Sequence, residues 1–149
     1  MLQFCVEGKY KKMKDIKKLD KDLTKLAELR NKLSSLDYDH PEYDNVEESL
    51  HDKEDDFMEE HGEFLEEALH SIHDEFCPDN DVLLPIAYLA KKYLVSDEGK
   101  YDVLPGSGVF VDADDYPGKN TKLVLVPGPA RFILNIDKAN RVVVWSSEG

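Results

Sequence analysis

The stretch "LDYDHPEYDN", residues 36–45, separates two long helical patterns and so decides the fold of the first half of the chain. Proline has no backbone N–H, and the residue before a proline disfavours helical geometry, so we expect a helix boundary near His40 and Pro41. Pro41 itself suits a first helical turn, while Asp44 with Glu47 three residues later offers an alternative N-terminal cap. The sequence therefore predicts that one helix ends near residue 36 and another begins near residue 41.

Before this boundary, apolar residues recur at spacings of three and four. The stripe consists of Ile16, Leu19, Leu23, Leu26 and Leu33. Arg30 occupies the one position of the stripe that is not apolar. This spacing predicts an amphipathic helix over about residues 10–36, with a heptad-like seam typical of a coiled coil.

After the boundary, a second stripe predicts a helix over about residues 41–76. Its members are Val46, Leu50, Phe57, His61, Phe64, Leu65, Ala68, Leu69, Ile72 and Phe76. Nothing apolar stands between Leu50 and Phe57, so we expect the first part of this helix to be loosely held. The stripe widens after Phe57, which indicates contact with both the first helix and the C-terminal half of the chain.

Charge favours pairing of these two helices. Residues 9–32 contain ten Lys and Arg against four acids, whereas residues 42–75 contain fifteen acids against Lys53 alone. A basic helix that folds back on an acidic one gains flanking ion pairs, each worth only about 0.2–1 kcal/mol when exposed. The pattern therefore predicts a long antiparallel helical hairpin in residues 1–77 and leaves surplus negative charge on its outside.

The chain changes character at Pro78, after which glycine, proline and β-branched residues become frequent. A third helix is predicted over about residues 82–94, with Pro85 tolerated near its first turn. Four to five strands then form an antiparallel meander. The candidates are Val109–Asp112, Lys122–Val126, Arg131–Ile136 and Arg141–Trp145, with Tyr101–Leu104 and Leu2–Val6 as weaker ones. We expect residues 78–149 to pack with the end of the hairpin as one domain of the α+β class.

One of these strands has no alternation of apolar and polar residues. Residues 142–145 read Val-Val-Val-Trp, a continuous apolar run. Such a run is typical of a strand that is covered on both faces.

Composition narrows the classes of partner. The 149-residue chain has a formal net charge of −13 and a pI near 4.7, which disfavours binding to nucleic acid or to an anionic membrane and favours a basic protein surface. No stretch approaches the roughly 20 apolar residues that span a bilayer. Cys5 and Cys77 show no framework spacing, which is typical of a reducing compartment. The sequence predicts a cytoplasmic protein.

The segment "EEALHSIHDE", residues 66–75, resembles a metal-binding motif at first sight. Glu67 and His70 have the E-x-x-H spacing of di-iron bundles, but such a bundle needs a second copy of the motif, and this chain has none. His70, His73 and Asp74 could form a surface site that binds Zn²⁺ or Ni²⁺ adventitiously. We therefore predict no physiological metal and no cofactor.

Two further residues are candidates for chemistry. His61 lies within the apolar stripe, where a hydrogen-bonded seam histidine is expected; the alternative is a pH sensor that loses stability when it is protonated. Cys77 follows His73 by four residues, and a nearby imidazole could lower the pKa of its thiol. An alternative hypothesis is therefore a small-molecule- or metal-binding enzyme whose site lies between the acidic helix end and the sheet. It would use His61, His73, Cys77 and the loop Asp112–Asp115.

The favoured hypothesis is a non-enzymatic interaction module, such as an adaptor, an immunity-type inhibitor or a chaperone. It would present its acidic helix to a basic partner, because searches for nucleophile and phosphate-loop motifs fail. The predicted partner-binding residues are Glu59, Glu60, Glu63, Glu66 and Glu67. Self-association through the loosely held part of the acidic helix remains a further alternative.

Overall fold

The computed structural model describes the backbone of residues 2–148 and the side chains of residues 16–148. Within that part of the chain, two long helices precede a small antiparallel sheet, so the predicted α+β class is confirmed. Helix α1 spans Leu2–Ser34, and helix α2 spans Tyr43–Phe76. Apolar residues of both helices and of the sheet belong to one buried cluster. The helices and the sheet thus share a core.

The helix boundaries follow local chemistry. Helix α1 begins earlier than predicted, and the weak strand prediction for Leu2–Val6 is wrong because those residues are helical. Helix α2 begins just after Pro41, with Glu42 at the N-terminal cap position, so the alternative cap at Asp44 is not used. It ends before the Cys77–Pro78 step, where the residue preceding proline leaves helical geometry.

Six short strands follow α2 within the described residues, one more than the predicted range. They are β1 (Leu94–Val95), β2 (Tyr101–Asp102), β3 (Val109–Phe110), β4 (Thr121–Val126), β5 (Arg131–Ile136) and β6 (Asn140–Ser146). Strands β3 to β6 form one antiparallel sheet in the order β3-β4-β5-β6, so the predicted meander is confirmed. Strands β1 and β2 form a separate two-stranded sheet.

The prediction of a third helix over residues 82–94 is wrong. This segment contains only a 3₁₀ helix, Pro85–Tyr88, flanked on both sides by extended backbone. Tertiary contacts replace the missing helical hydrogen bonds. The Asn31 side chain on α1 accepts a hydrogen bond from the Tyr93 N–H at 2.6 Å and donates one to the Tyr93 carbonyl at 3.0 Å. The segment therefore lies extended between α1 and the sheet.

The prediction that residues 142–145 are covered on both faces is also wrong. Strand β6 is an edge strand, and the side chains of Val142 and Val143 are 36% and 53% exposed. Trp145 is half-buried, with its ring 5.7 Å from that of Phe132 and 5.9 Å from that of Phe64. A strand with one neighbour can bury its apolar residues only where another element covers it, and here α2 covers only the end that carries Trp145.

Candidate functional site

The acidic residues of α2 lie mainly on the side opposite its buried face. The buried face includes Leu50, Phe57, His61 and Leu65, which recur at helical spacing. At about 100° per residue, the acids on the opposite half of the helix surface form a stripe along its length. These acids are Glu48, Asp52, Asp55, Glu59, Glu63, Glu66, Glu67 and Asp74. We call this stripe the outer acidic face.

Four of the five predicted partner-binding residues belong to the outer acidic face. Glu59, Glu63 and Glu67 are exposed, and Glu66 is half-buried. Glu60 differs, because its carboxylate pairs with Lys18 of α1 and lies 3.1 Å from the Nε2 atom of His61. The structure thus separates Glu60 from the other four and places it at the contact between the helices.

The candidate surface group His70, His73 and Asp74 does not assemble. His70 and Asp74 are exposed, but the side chain of His73 is buried with only 3% of its surface exposed. Its Nδ1 atom lies 3.0 Å from the Asn80 carbonyl, and its Nε2 atom lies 3.1 Å from the Tyr88 hydroxyl. His73 faces inward because this end of α2 packs against the 3₁₀ helix and the sheet.

The hydrogen bonds of His73 form a chain with consistent donors and acceptors. The Asn80 carbonyl can only accept, so Nδ1 donates to it, and Nε2 of the neutral ring accepts from the Tyr88 hydroxyl. The Tyr88 oxygen in turn accepts from the Leu83 N–H at 3.0 Å. Every polar atom in this series of hydrogen bonds has a partner, which fits a structural histidine rather than a catalytic one.

His73 does not lower the pKa of Cys77, a possibility that their spacing had raised. Burial, together with the negative charges of Asp114 and Asp112, raises the pKa of the Cys77 thiol to about 11. The ring nitrogens of His73 are bonded to Asn80 and Tyr88 instead. Cys77 is therefore a protonated core thiol at neutral pH, and it lacks the thiolate character of a nucleophile.

The loop Asp112–Asp115 packs against the end of α2 through its backbone. The Asp114 N–H donates to the Phe76 carbonyl at 2.9 Å, and the Asp112 N–H donates to the Asn80 side-chain oxygen at 2.8 Å. The carboxylates of Asp112, Asp114 and Asp115 are exposed. The loop thus satisfies a helix-terminal carbonyl that would otherwise lack a partner.

The residues of the alternative enzyme hypothesis do not share one pocket. His61 lies twelve residues before His73 on α2, which corresponds to about 18 Å along the helix at 1.5 Å per residue. His61 faces α1, whereas His73 and Cys77 lie next to the sheet. The structure therefore contradicts the hypothesis that His61, His73 and Cys77 share one site.

His61 instead belongs to a charged group between the two helices. Its ring is buried, and its Nε2 atom lies 2.9 Å from Oδ2 of Asp22 on α1 and 3.1 Å from Oε2 of Glu60. Lys18 contacts both carboxylates and lies 3.1 Å from Asp22 Oδ2. We call Asp22, Glu60 and His61, together with the Lys18 ammonium, the interhelical cluster.

The electrostatics of the interhelical cluster favour the charged form of Asp22. Burial of Asp22 opposes its ionisation, but hydrogen bonds from His61 and Lys18 outweigh burial and hold the pKa of this carboxyl below its usual range. Hydrogen bonds to Glu60 and Asp22 raise the pKa of Lys18. Both carboxylates face the buried ring of His61.

The interhelical cluster opens into a groove of about 610 Å³ between α1 and α2. Its charged lining consists of Lys17, Lys18, Lys21, Lys25 and Lys53 with Asp22, Asp56 and Glu60, above Leu26 and Phe57. Most of the lysines belong to the basic segment of α1, which the sequence predicted to face acids. Lysine stems cover apolar surface while their ammonium groups stay in water, which accounts for a polar groove above an apolar floor.

A second polar pair between the helices was not foreseen from the sequence. The Nη2 atom of Arg30 lies 2.5 Å from Oε2 of Glu54. Glu54 is buried, and Arg30 is half-buried. Arg30 occupies the one polar position of the first apolar stripe, and Glu54 lies between Leu50 and Phe57, where the second stripe has no apolar residue. Each stripe is thus interrupted by one residue of opposite charge to the other. These matching interruptions are the sequence signal that could have identified the contact.

In residues 2–148, neither helix has an apolar stretch long enough to cross a membrane. A comparison of the chain with protein-family models, with curated proteins and with solved structures finds no match in any of the three.

Proposed function

We propose that this chain is a non-enzymatic protein-interaction module that presents the outer acidic face of α2 to a basic protein surface. The observation that carries the proposal is that the two faces of α2 differ in residue type and in contacts. Its inner face packs on α1 and the sheet, while its opposite face is lined by eight acids over the length of the helix. A stripe of one charge on a rigid element produces a field that steers a partner of opposite charge.

The way the acids of α2 are paired supports this proposal. Among the side chains of residues 16–148, Glu54 pairs with Arg30 and Glu60 pairs with Lys18, and both pairs lie at the contact with α1. The outer acidic face forms no ion pair within that part of the chain. Its negative potential is therefore directed outward, where a basic partner would meet it.

The arrangement of α1 and α2 would give the face a firm support. In this proposal the two helices form an antiparallel hairpin, since Lys18 contacts Glu60 whereas Arg30, farther along α1, contacts the earlier residue Glu54. A docking surface on a packed helix loses little conformational entropy when a partner binds. An adaptor, an immunity-type inhibitor and a chaperone are the classes of protein that fit such a surface.

The proposal also places the module in the cytoplasm. Cys77 is a buried free thiol, which suits a reducing compartment. Nucleic acid and anionic membranes are disfavoured as partners because the chain carries a net charge of −13.

The proposal can be tested with two variants of equal charge change. One carries Gln at Glu59, Glu63, Glu66 and Glu67 on the outer acidic face. The control carries Asn or Gln at four exposed acids outside α2, namely Asp37, Asp39, Asp97 and Glu98. Each variant and the parent protein are used for pull-downs from a lysate of the source cells, at about 50 mM and about 500 mM salt.

We expect the parent and the control to retain a basic protein at low salt and to release it at high salt. The variant of the outer acidic face should lose that protein at both salt concentrations. Equal losses from the two variants would show that net charge rather than this face is responsible. Retention that does not depend on salt, or no retained protein at all, would contradict the proposal.

A further inference from the structure

The ligand-type atoms of the interhelical cluster converge on one point. The Nε2 atom of His61 lies 2.9 Å from Asp22 Oδ2 and 3.1 Å from Glu60 Oε2, and all three atoms lie within 4.8 Å of one another. Zinc binds histidine nitrogen and carboxylate oxygen at about 2.0–2.2 Å, so neighbouring ligand atoms around one tetrahedral ion are about 3.3–3.6 Å apart. The two contacts of Nε2 are a few tenths of an ångström shorter than this, so small side-chain movements would bring the atoms to ligand spacing.

A cation already occupies the space between the two carboxylates. The Lys18 ammonium contacts Oδ2 of Asp22 and Oε2 of Glu60, the same two oxygen atoms that face the imidazole. Two carboxylates and one ammonium leave a net charge of −1 when His61 is neutral, and a divalent ion in place of the ammonium would remove it. The Lys18 side chain is 55% exposed on a flexible stem, so it can leave the cluster without disturbing the core.

The imidazole is the part of the cluster that is held in place. The side chain of His61 is only 3% exposed, and its ring lies with its centroid 5.1 Å from that of Phe57. This packing directs Nε2 toward the carboxylates. The entry path is the interhelical groove, since Asp22 and Glu60 both line it. A fixed nitrogen ligand with two movable carboxylates at an open groove is an arrangement that an ion can enter without unfolding the helices.

The chemistry of the donors selects the class of ion. Imidazole nitrogen suits zinc, iron, copper and nickel, whereas calcium and magnesium prefer sites made of oxygen alone. Three protein ligands leave at least one coordination position for water on the side of the groove. The combination of one nitrogen and two carboxylates therefore fits a first-row divalent transition-metal ion.

We propose that Asp22, Glu60 and His61 bind one such ion, with Zn²⁺ as the representative, in competition with the Lys18 ammonium. This site differs in place and in residues from the surface group His70, His73 and Asp74. It adds a metal-dependent link between α1 and α2 to the proposed interaction module. Neither the pull-down test nor the variants used in it depend on this site.

The test uses untagged protein that has been treated with a chelator and then titrated with Zn²⁺ by calorimetry and with Co²⁺ by visible absorption. We expect one ion per chain, and we expect Asp22→Asn and Glu60→Gln each to weaken binding more than about tenfold, because each removes a ligand. His61→Gln should abolish the intense visible absorption of four-coordinate Co²⁺, because it removes the nitrogen ligand. The control variant is His70→Ala with Asp74→Ala, which should bind Zn²⁺ like the parent protein.

Lys18→Gln provides the sharpest test, because it removes the internal competitor and leaves all three ligands in place. We expect this variant to bind Zn²⁺ about threefold or more tightly than the parent, in keeping with the loss of two exposed ion pairs. An ion bound far from the cluster should gain little from this change, because charges more than about 10 Å apart are largely screened at physiological salt. An unchanged or lower affinity would overturn the proposal.

Two other outcomes would also overturn it. One is a loss of binding in the His70 and Asp74 control, which would place an adventitious ion on the outer acidic face. The other is unchanged binding by Asp22→Asn and Glu60→Gln, two variants of partly exposed residues that are expected to fold. Zn²⁺ should also raise the midpoint temperature of unfolding of the parent but not of Asp22→Asn, because an ion that binds only the folded state stabilises it.

Discussion

Helix α2 carries two buried histidines in environments that differ in every respect relevant to chemistry. His61 lies between the helices, next to Asp22 and Glu60 and beside a groove lined by lysines. His73 lies at the junction of α2 with the sheet, bonded to the Asn80 carbonyl and the Tyr88 hydroxyl among aromatic rings. His61 thus has charged neighbours beside an open groove, whereas His73 has uncharged neighbours in the closed interior.

This difference shows that burial by itself does not define the role of a histidine. At the junction, each polar atom of the ring has one neutral partner, so the side chain strengthens a fixed structure. In the interhelical cluster, several charged groups compete for the same atoms, so one partner can replace another. We therefore expect substitutions at the junction to act mainly on stability, and substitutions in the interhelical cluster to act mainly on binding.

The largest expected effect lies at the junction. Phe132 is fully buried, with its ring 5.9 Å from that of Tyr88 and 5.7 Å from that of Trp145. Phe132→Ala should lower the free energy of unfolding by about 3–5 kcal/mol, because it removes apolar contacts and leaves a cavity. Urea unfolding followed by circular dichroism would measure the loss. Val143→Ala on the exposed edge strand is the control and should cost less than about 1 kcal/mol; similar losses for both would contradict the described core.

An intermediate effect is expected at the polar pair between the helices. Glu54→Leu leaves Arg30 half-buried without its carboxylate, so it should lower the free energy of unfolding by about 1–3 kcal/mol. The double variant Arg30→Met with Glu54→Leu should recover most of that loss, because apolar residues of similar size can replace a buried ion pair. If the double variant is as unstable as Glu54→Leu alone, the ion pair contributes stability that apolar residues cannot replace.

The smallest effect concerns the thiol at the junction. Burial raises the pKa of Cys77 to about 11, so between pH 9 and 11 the unfolded chain loses a thiol proton that the folded chain keeps. The stability that this protonated thiol contributes is complete below about pH 9 and decreases as the pH rises toward 11. In a Cys5→Ser background, Cys77→Ala should remove this part of the pH dependence, which urea unfolding at several pH values would measure.

The same background allows a direct check of the thiol's environment. At pH 8 the folded protein should react slowly with an aromatic disulfide reagent, and denaturant should accelerate the reaction strongly. A fast reaction in the folded state would contradict both the burial of Cys77 and the direction of its pKa.

Much of the fold could be predicted from local sequence patterns. The break at Pro41 locates the end of α1 and the start of α2 to within about two residues, and the turns that separate β4, β5 and β6 locate these strands closely. Strand β5 has the predicted bounds, Arg131–Ile136. These features could be predicted because periodicity and turn chemistry act over a few residues.

The failures arise where distant residues decide the conformation. The segment after Pro78 has a helical pattern, but Asn31 on α1 holds the backbone of Tyr93, and the Tyr93 hydroxyl donates to the Leu125 carbonyl at 2.7 Å. Such hydrogen bonds outweigh a weak helical propensity. Strand β6 was predicted to be covered because apolar content does not reveal whether a strand lies at the edge of a sheet.

The candidate site was predicted only in part. The acids of α2 could be identified from charge alone, but Glu60 could not be separated from Glu59, because its contact with Lys18 depends on the packing of the helices. Asp22 was not singled out for the same reason. His73 was assigned to the surface because a single-helix projection omits the third element that covers it.

The sequence by itself determined two amphipathic helices of opposite charge, a proline-marked boundary between them and a meander of short strands, since each depends on neighbouring residues. Only the tertiary structure decided that Arg30 meets Glu54, that His61 faces Asp22, and that residues 82–94 are mostly not helical. The physical reason is that these contacts join side chains far apart along the chain, whose energies depend on the burial and partners that packing creates.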